Sequence, residues 1–296
     1  MRPVTLDDST RRRLLAREVG ACGQCEGEFA GREEEMAYYL RRSAGRFART
    51  LPLALGVAPP GSRVLELGAD PFFFTQLLLE GGARMVLAGE PRGVWEREPN
   101  GTEPVCLRWD GREERVELHR FDAERHRWPF ADGSFDAVIC MEVLEHLSYS
   151  PAHLLHEANR VLRDGGQLVL TTPNALAAPL LARQLRGLST GEPYSGYGPT
   201  GRHNREYTRA ELAALLRAAN FGAQVRAHNI DGYAPPDRPG RLLRAAAGLP
   251  GEHAERRRDH LFAVATKVAP PVLAHPSWLF RAIDPERMRA GGVELT

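Results

Sequence analysis

No apolar run in this 296-residue chain approaches the roughly 18 residues needed to cross a bilayer, and the N-terminus lacks the apolar stretch of a secretory leader. Together these absences predict a cytoplasmic protein with no membrane insertion. Charge of one sign is missing too: 39 Lys and Arg face 38 Asp and Glu, a formal net charge of +1. No overall field therefore draws a polyanion, and nucleic acid is a disfavoured partner. The local basic clusters Arg11 to Arg13 and Arg256 to Arg258 have no interleaved aromatics for bases to stack on, and read as solvated surface. Cysteine is scarce, with 4 in the chain. Cys22 and Cys25 have the spacing of half a zinc site or a redox pair, but Cys106 and Cys140 are isolated and supply no second half. Internal repeats and low-complexity segments are absent. What is present is 43% apolar residues, enough for a substantial core and near the upper size at which one core serves the whole chain.

Met36, Tyr39, Leu40, Ala44, Phe47 and Leu51 recur at helical spacing and predict a helix over Arg32 to Leu55, ended by Ala58-Pro59-Pro60-Gly61. A short strand from Arg63 to Gly68 follows. Asp70 is the candidate N-cap, and Pro71 the first position, of a helix running to Leu79. Further strands are predicted at Met85 to Ala88, Arg115 to Phe121, Phe135 to Cys140, Gln167 to Thr171, Ala223 to His228 and Leu261 to Lys267. The run from Phe135 is so apolar that it must be covered on both faces. Arg92 to Gly111 is turn-rich and reads as a surface insertion with a short hairpin. Ser150 and Pro151 open a helix that Asp164-Gly165-Gly166 closes, and Thr208 with Glu211 forms the capping box of another, ended by Asn220. The expected organisation is an N-terminal helical extension over residues 1–57, a main domain over 58–269, and a tail over 270–296 whose Trp278, Leu279 and Phe280 pack back. Within the main domain, 231–258 is rich in Gly, Pro, Arg and Ala and reads as a lid-like insertion.

Strands alternating with helices predict an α/β fold with a mostly parallel sheet, whose ligands bind at the carboxyl ends of the strands. Four strands end in polar or acidic positions: Glu66 to Asp70, Glu90, Asp122, and Met141-Glu142. Such a series fits a ligand made of a nucleoside and a cationic tail. Val64-Leu-Glu-Leu-Gly68, Glu90, Asp122-Ala123, the run from Trp128 to Asp136, Glu142-Val-Leu-Glu-His146 and the run from Arg160 to Gly166 stand in order at suitable spacing. Together they resemble class I S-adenosylmethionine (SAM)-dependent methyltransferases over roughly residues 60 to 220. The resemblance implies a Rossmann-like, doubly wound, mostly parallel seven-stranded sheet with an antiparallel last strand, and SAM as cofactor. It implies that Gly68 lets the backbone approach the amino acid part of SAM, beside Glu66, Ala69 and Asp70. Glu90 would accept hydrogen bonds from the ribose hydroxyls, Asp122 and Ala123 would meet the adenine amino group, and Met141 and Glu142 would complete the set. The chain departs from the family at the glycine-rich turn, where Gly68-Ala-Asp-Pro-Phe72 keeps only the first glycine. That departure argues harder against a nicotinamide dehydrogenase, whose G-x-G-x-x-G turn must admit a pyrophosphate.

Methyl transfer is an in-line displacement, in which orientation can carry about 7–11 kcal/mol of the barrier. A hydroxyl acceptor also needs a base, a metal or both. His146 and His203 are the candidates for catalysis. The i, i+3, i+4 spacing of Glu142, Glu145 and His146 puts all three on one face if the segment is helical. Arg202-His-Asn-Arg-Glu-Tyr-Thr208 brings a second histidine just before a capped helix. Glu142, Glu145, His146 and His203 resemble the metal-binding set of small-RNA 3′-terminal 2′-O-methyltransferases, which implies a divalent cation such as Mg. The same stretch is similar to ubiquinone-biosynthesis O-methyltransferases. The bland readings stay open: His146 as a structural hydrogen bond below the cofactor, His203 as a loop residue ordering Arg205. A small-molecule or sugar-like hydroxyl acceptor is the preferred substrate class, with Tyr39, Arg205 and Tyr207 lining its pocket under the lid and the N-terminal helix. The alternatives are a SAM-binding module without turnover and a metal-assisted RNA 2′-O-methyltransferase.

Overall fold

The computed structural model describes residues 18–21, 33–90, 101–195, 201–230, 238–273 and 275–280. Its strands are β1 (Glu18–Ala21), β2 (Arg63–Leu67), β3 (Arg84–Gly89), β4 (Gly101–Trp109), β5 (Arg112–Arg120), β6 (Phe135–Met141), β7 (Leu162–Pro173), β8 (Phe221–His228) and β9 (His260–Lys267). Its helices are α1 (Glu33–Val57), α2 (Phe73–Glu80), α3 (Pro151–Val161), α4 (Ala178–Leu185), α5 (Arg209–Ala218), α6 (Arg238–Ala247) and α7 (Glu252–Glu255), with one 3₁₀ turn at Leu144–His146.

The strands form one sheet in the order β1-β4-β5-β3-β2-β6-β7-β9-β8. β5, β3, β2, β6 and β7 run parallel, while β9 is antiparallel to both β7 and β8. The expected seven strands and antiparallel last strand are therefore present. β4 and β1 extend the sheet to nine strands at the β5 edge. The hairpin is longer than the sequence suggested, since β4 and β5 pair from Gly101↔Arg120 to Trp109↔Arg112. Its turn is Asp110-Gly111, both with positive φ (47° and 73°), the backbone that joins twisted strands through two residues.

Apolar residues on both faces of β2, β3 and β6 call for cover on both sides, and two cores supply it. Leu40, Ala44, Phe47, Leu51 and Ala54 of α1 pack with Phe73, Phe74 and Leu77 of α2 on one face. Leu154, Leu155, Ala158 and Val161 of α3 pack with Leu212, Leu215 and Leu216 of α5 on the other. Each fully buried large apolar side chain contributes about 1.5–3 kcal/mol relative to exposure. Local chemistry sets the helix starts. Ser150 Oγ accepts the Ala152 N–H at 3.1 Å before Pro151, and Thr208 and Glu211 exchange reciprocal capping hydrogen bonds at 3.2 and 2.9 Å.

Four expectations need correction. Asp70 does not cap α2; the N-cap is Phe72, held at φ 63° with no side-chain cap, because its ring turns into the core. α3 ends at Val161, before Asp164-Gly165-Gly166, and Gly165 takes its positive φ (70°) near the start of β7. The Glu142 to His146 segment is not an α-helix: Glu142 is left-handed (φ 54°) and only a three-residue 3₁₀ turn follows. Cys106 is disulfide-bonded rather than isolated, and Cys140 is a buried free thiol. Cys22, Cys25, Arg11 to Arg13, residues 231–237 of the expected insertion and residues 281–296 of the tail lie outside the described residues. Of the C-terminal stretch, Leu279 packs on the second core, whereas Trp278 is exposed. No helix among the described residues is long and apolar enough to cross a membrane.

Candidate active site

Parallel β2, β3, β5 and β6 bring their carboxyl ends, and so Gly68, Glu90, Asp122 and Glu142, to one edge of the sheet. Gly68 has φ +67°, and a Cβ there would lie 2.8 Å from Val143 Cγ2, so the turn closes only with glycine. Its N–H donates to the Ala88 carbonyl at 2.9 Å. The Glu66 carboxylate is buried and accepts the Thr75 hydroxyl at 2.6 Å, tying β2 to α2. Ala69 is buried, and the bulky Phe72 of the altered turn also points into the core, away from the strand ends. Asp70 is exposed and its carboxylate sits 3.4 Å from Arg120 Nη1.

Arg120 was not anticipated. From the end of β5 it also donates to Glu103 at 2.8 Å and to the Glu90 carbonyl at 3.3 Å, so one guanidinium straps the Gly68 turn to the end of β3. Only strand register, which puts Gly89 opposite Arg120, reveals it. Asp122 Oδ1 accepts the Glu124 N–H at 2.9 Å, and the Ala123 carbonyl accepts the Trp128 indole N–H at 3.1 Å. Two further motif pieces meet at Arg160, which is buried. Its guanidinium donates to Glu157, Asp132 and the carbonyls of Trp128 and Phe130 at 2.7–3.0 Å, so the Trp128 to Asp132 run and the Arg160 run form one latch.

Past β6 the chain carries two carboxylates three residues apart, Glu142 half-buried and Glu145 buried. Glu142 Oε2 meets Arg46 Nη1 at 3.0 Å and His260 Nε2 at 3.3 Å, and its Oε1 accepts the Thr171 hydroxyl at 2.8 Å. Burial alone pushes this carboxyl up, but the charges of Arg46 and His260 hold it well below the usual carboxylate range. Arg46 reaches in from α1 and also donates to Ser43 and Tyr39. Tyr39 stacks on Phe73, with ring centroids 6.2 Å apart. Arg46 and His260 were absent from the sequence-derived set, because nothing local marks them as partners of Glu142.

Glu145 turns the other way. Its Oε2 accepts the Thr172 hydroxyl at 2.9 Å, while its Oε1 is buried without a hydrogen bond, 4.0 Å from His146 Nε2. Burial, reinforced by the charge of Glu142, raises its carboxyl well above the usual range. The His146 Nδ1 faces the Arg202 carbonyl at 3.0 Å. A carbonyl only accepts, so Nδ1 carries the proton and Nε2 of the neutral ring presents a lone pair toward Glu145. Burial, with the charge of His203 adding to it, lowers the His146 pKa. The His203 ring stands edge-on to it at 5.0 Å, with Nδ1 3.0 Å from Glu206 and 3.2 Å from Glu192. Burial lowers the His203 pKa, but the Glu206 hydrogen bond and the surrounding carboxylates carry it up to about 8. The backbone secures the contact, since the N–H groups of Asn204 and Arg205 donate to the Glu145 carbonyl at 2.7 and 3.2 Å.

One ligand atom each from Glu145, His146 and His203 lies within 4.8 Å of the others, a set able to hold a metal ion. Glu142, the fourth expected ligand, is engaged by Arg46, His260 and Thr171 instead. Met141 is half-buried at the end of β6. Arg205 stacks over the Tyr207 ring at 5.5 Å and pairs with Glu211, while Tyr207 itself is 1% exposed, in the second core.

A family model described as a methyltransferase domain matches residues 36–224. The chain is 30% identical over 175 residues to a ubiquinone biosynthesis O-methyltransferase of Xanthomonas campestris pv. campestris, covering 58% of this chain and 67% of that one. With its counterpart from Xanthomonas oryzae pv. oryzae it shares 31% over 164 residues, 54% of this chain and 63% of the relative. A solved complex of the Haloferax volcanii Trm112 methyltransferase activator with a methyltransferase overlays 81% of this chain and 96% of that one, at a TM-score of 0.50 and 15% identity, a likeness of fold. Strand order, the Gly68 turn and the family match agree, and the chain belongs to the methyltransferase-domain family as a class I SAM-dependent methyltransferase.

Proposed function

We propose that this methyltransferase acts on a hydroxyl group of a small-molecule acceptor, with Glu145, His146 and His203 as the catalytic and cation-holding groups. The observation that carries the proposal is the pairing of the orphaned Glu145 Oε1 with the His146 Nε2 lone pair beside His203. The name of the Xanthomonas campestris relative supports oxygen as the accepting atom. Glu66, Gly68, Ala69 and Asp70 are the proposed surroundings of the amino acid part of SAM, Glu90 of its ribose, and Asp122 and Ala123 of its adenine, with Met141 and Glu142 at the end of β6 completing the set. The bound cofactor supplies the electrophilic sulfonium methyl. Arg46 is proposed to keep Glu142 ionised and fixed, and so to position the end of β6.

The donor set fits a divalent cation: one carboxylate oxygen and two imidazoles are a common combination for Zn, Mn or Fe, whereas Mg prefers more oxygen. Such a cation lowers the pKa of a hydroxyl it binds. With Nδ1 anchored on the Arg202 carbonyl so that the ring cannot turn, the single Nε2 lone pair of His146 would serve as a ligand of that cation, and in the absence of a cation it is placed to accept the acceptor proton. Tyr39 and Arg205 are the proposed walls of the acceptor pocket. The test is transfer of a labelled methyl group from SAM to phenolic and sugar hydroxyl acceptors, with and without added divalent cation. O-methylated product that is lost in both His146→Gln and His203→Gln supports the proposal. Product formed equally well by both variants, or methylation at nitrogen or carbon only, contradicts it.

A further inference from the structure

Four arginines from three elements face one cavity remote from the strand-end site. The cavity, of about 680 Å³, lies between α5, the outermost strand β8 and the end of α7. Arg209 and Arg217 enter it from α5, Arg226 from β8 and Arg256 from the residue after α7, with Thr208 and Leu176 at its rim. Among the described residues no carboxylate lines it, and the small Ala210 and Ala213 stand between the arginines of α5 in the lining. Arg256, which in sequence belongs to a run that reads as solvated surface, is here joined to three cations that are distant along the chain.

Arg209 and Arg256 are steadied from outside the cavity. Arg209 pairs with Glu255 at 3.3 Å and Arg256 with Glu252 at 2.5 Å. Arg217 and Arg226 are exposed, and neither has an ion pair among the described residues. The first turn of α5 also opens here, and the N–H groups of Arg209 and Ala210 have no acceptor within the helix by virtue of position. The positive end of the helix thus adds to the charge of the arginines.

We propose that this cavity binds the diphosphate group of a small molecule, at a site separate from the cofactor cleft. Planar guanidinium forks match phosphate oxygens in pairs, and four of them suit two adjoining phosphates better than one carboxylate. The volume is that of a small-ligand pocket, about 300–1,000 Å³ in general, rather than of an open track for a polymer. Among the described residues the lining holds no aromatic ring, so no base-stacking surface accompanies the charge there and a nucleic acid is not the occupant it favours. β9 and β7 stand between β8 and the strands that carry Gly68, Glu90 and Asp122, so the inference does not depend on the catalytic proposal.

The experiment is a calorimetric titration of the full chain with inorganic pyrophosphate, orthophosphate and a poly-glutamate peptide at low salt. It is run on the wild type, on Arg217→Gln with Arg226→Gln, and on a control pair, Arg112→Gln with Arg115→Gln, that removes the same charge from the β4–β5 hairpin. All three proteins are first shown to melt cooperatively. The expected result is that pyrophosphate binds more tightly than orthophosphate or the peptide, at least about tenfold more weakly in the cavity pair, and equally well in the control pair. S-adenosylhomocysteine affinity stays the same in all three. Equal weakening in both pairs, no pyrophosphate binding, or preference for the peptide overturns the proposal, and a fall in S-adenosylhomocysteine affinity in the cavity pair overturns the separation of the two sites.

Discussion

Glu142, half-buried, and Glu145, buried, sit three residues apart, yet they occupy opposite electrostatic worlds. Glu142 ends β6 in a left-handed backbone that aims it at Arg46, His260 and Thr171. Glu145, on the following 3₁₀ turn, has Thr172 on one oxygen and on the other only an imidazole 4.0 Å away. A buried carboxylate is unfavourable by several kcal/mol unless it is paired or neutralised. Glu142 is paired by a cation from α1 and stays ionised. Glu145 gains no such cation from a helix and is pushed toward its neutral form, available to a ligand. Spacing in the sequence makes the two look equivalent; the contacts from elsewhere in the chain separate them.

The largest expected effect breaks the Glu145 side. Glu145→Gln, an isostere of the neutral carboxyl, should lower methyl transfer by about 10²–10⁴-fold while leaving urea stability nearly unchanged. A loss of stability as large as the loss of rate would mean Glu145 is structural. Next comes the Glu142 side, where Arg46→Met leaves the carboxylate only His260 and Thr171 as partners and should destabilise the fold by about 3 kcal/mol in denaturant titration. Arg46→Met combined with Glu142→Gln should recover part of that, and a strictly additive double variant would show that the two groups do not interact. Gly68→Ala sits between the two sides, at Val143, and should cost about 1–3 kcal/mol through its positive φ and the 2.8 Å contact, together with weaker S-adenosylhomocysteine binding by calorimetry.

The last effect is read only as a slope with pH, at His228, which lies opposite His260 across β8 and β9. Burial, aided by the charges of Arg49 and Arg258, lowers the His228 pKa from 6.5 to about 4. Between those values the unfolded chain takes a proton that the folded chain refuses, so stability falls as pH falls through that window. His228→Gln should flatten that part of the stability profile in melting experiments from pH 7 to about 4, and an unchanged slope would assign it to other groups.

The sheet was legible because its signals are local. Apolar runs such as Phe135 to Cys140 place strands, Thr208 with Glu211 starts a helix, and the polar residues at strand ends mark the ligand edge. The arrangement of the second half of the site was not. Helical spacing over Glu142 to His146 is compatible with a helix, but the chain leaves β6 through a left-handed residue, which rotates Glu142 away from Glu145. Asp70 and Pro71 look like a helix start, yet burying Phe72 moved the start to Phe73 and left Asp70 to Arg120. Arg46, Arg120 and His260 act on partners 96, 50 and 118 residues away (Glu142, Asp70 and Glu142), distances over which a single sequence gives no pairing signal. His203 was found because it stands just before a recognisable capping box.

The division between the two glutamates is tested most directly by titrating the purified protein with Zn or Mn in a calorimeter and comparing Glu142→Gln with Glu145→Gln, each shown to be folded. One cation per chain is expected, lost in Glu145→Gln and retained in Glu142→Gln. Loss in both variants, or no binding by the wild type, would contradict it.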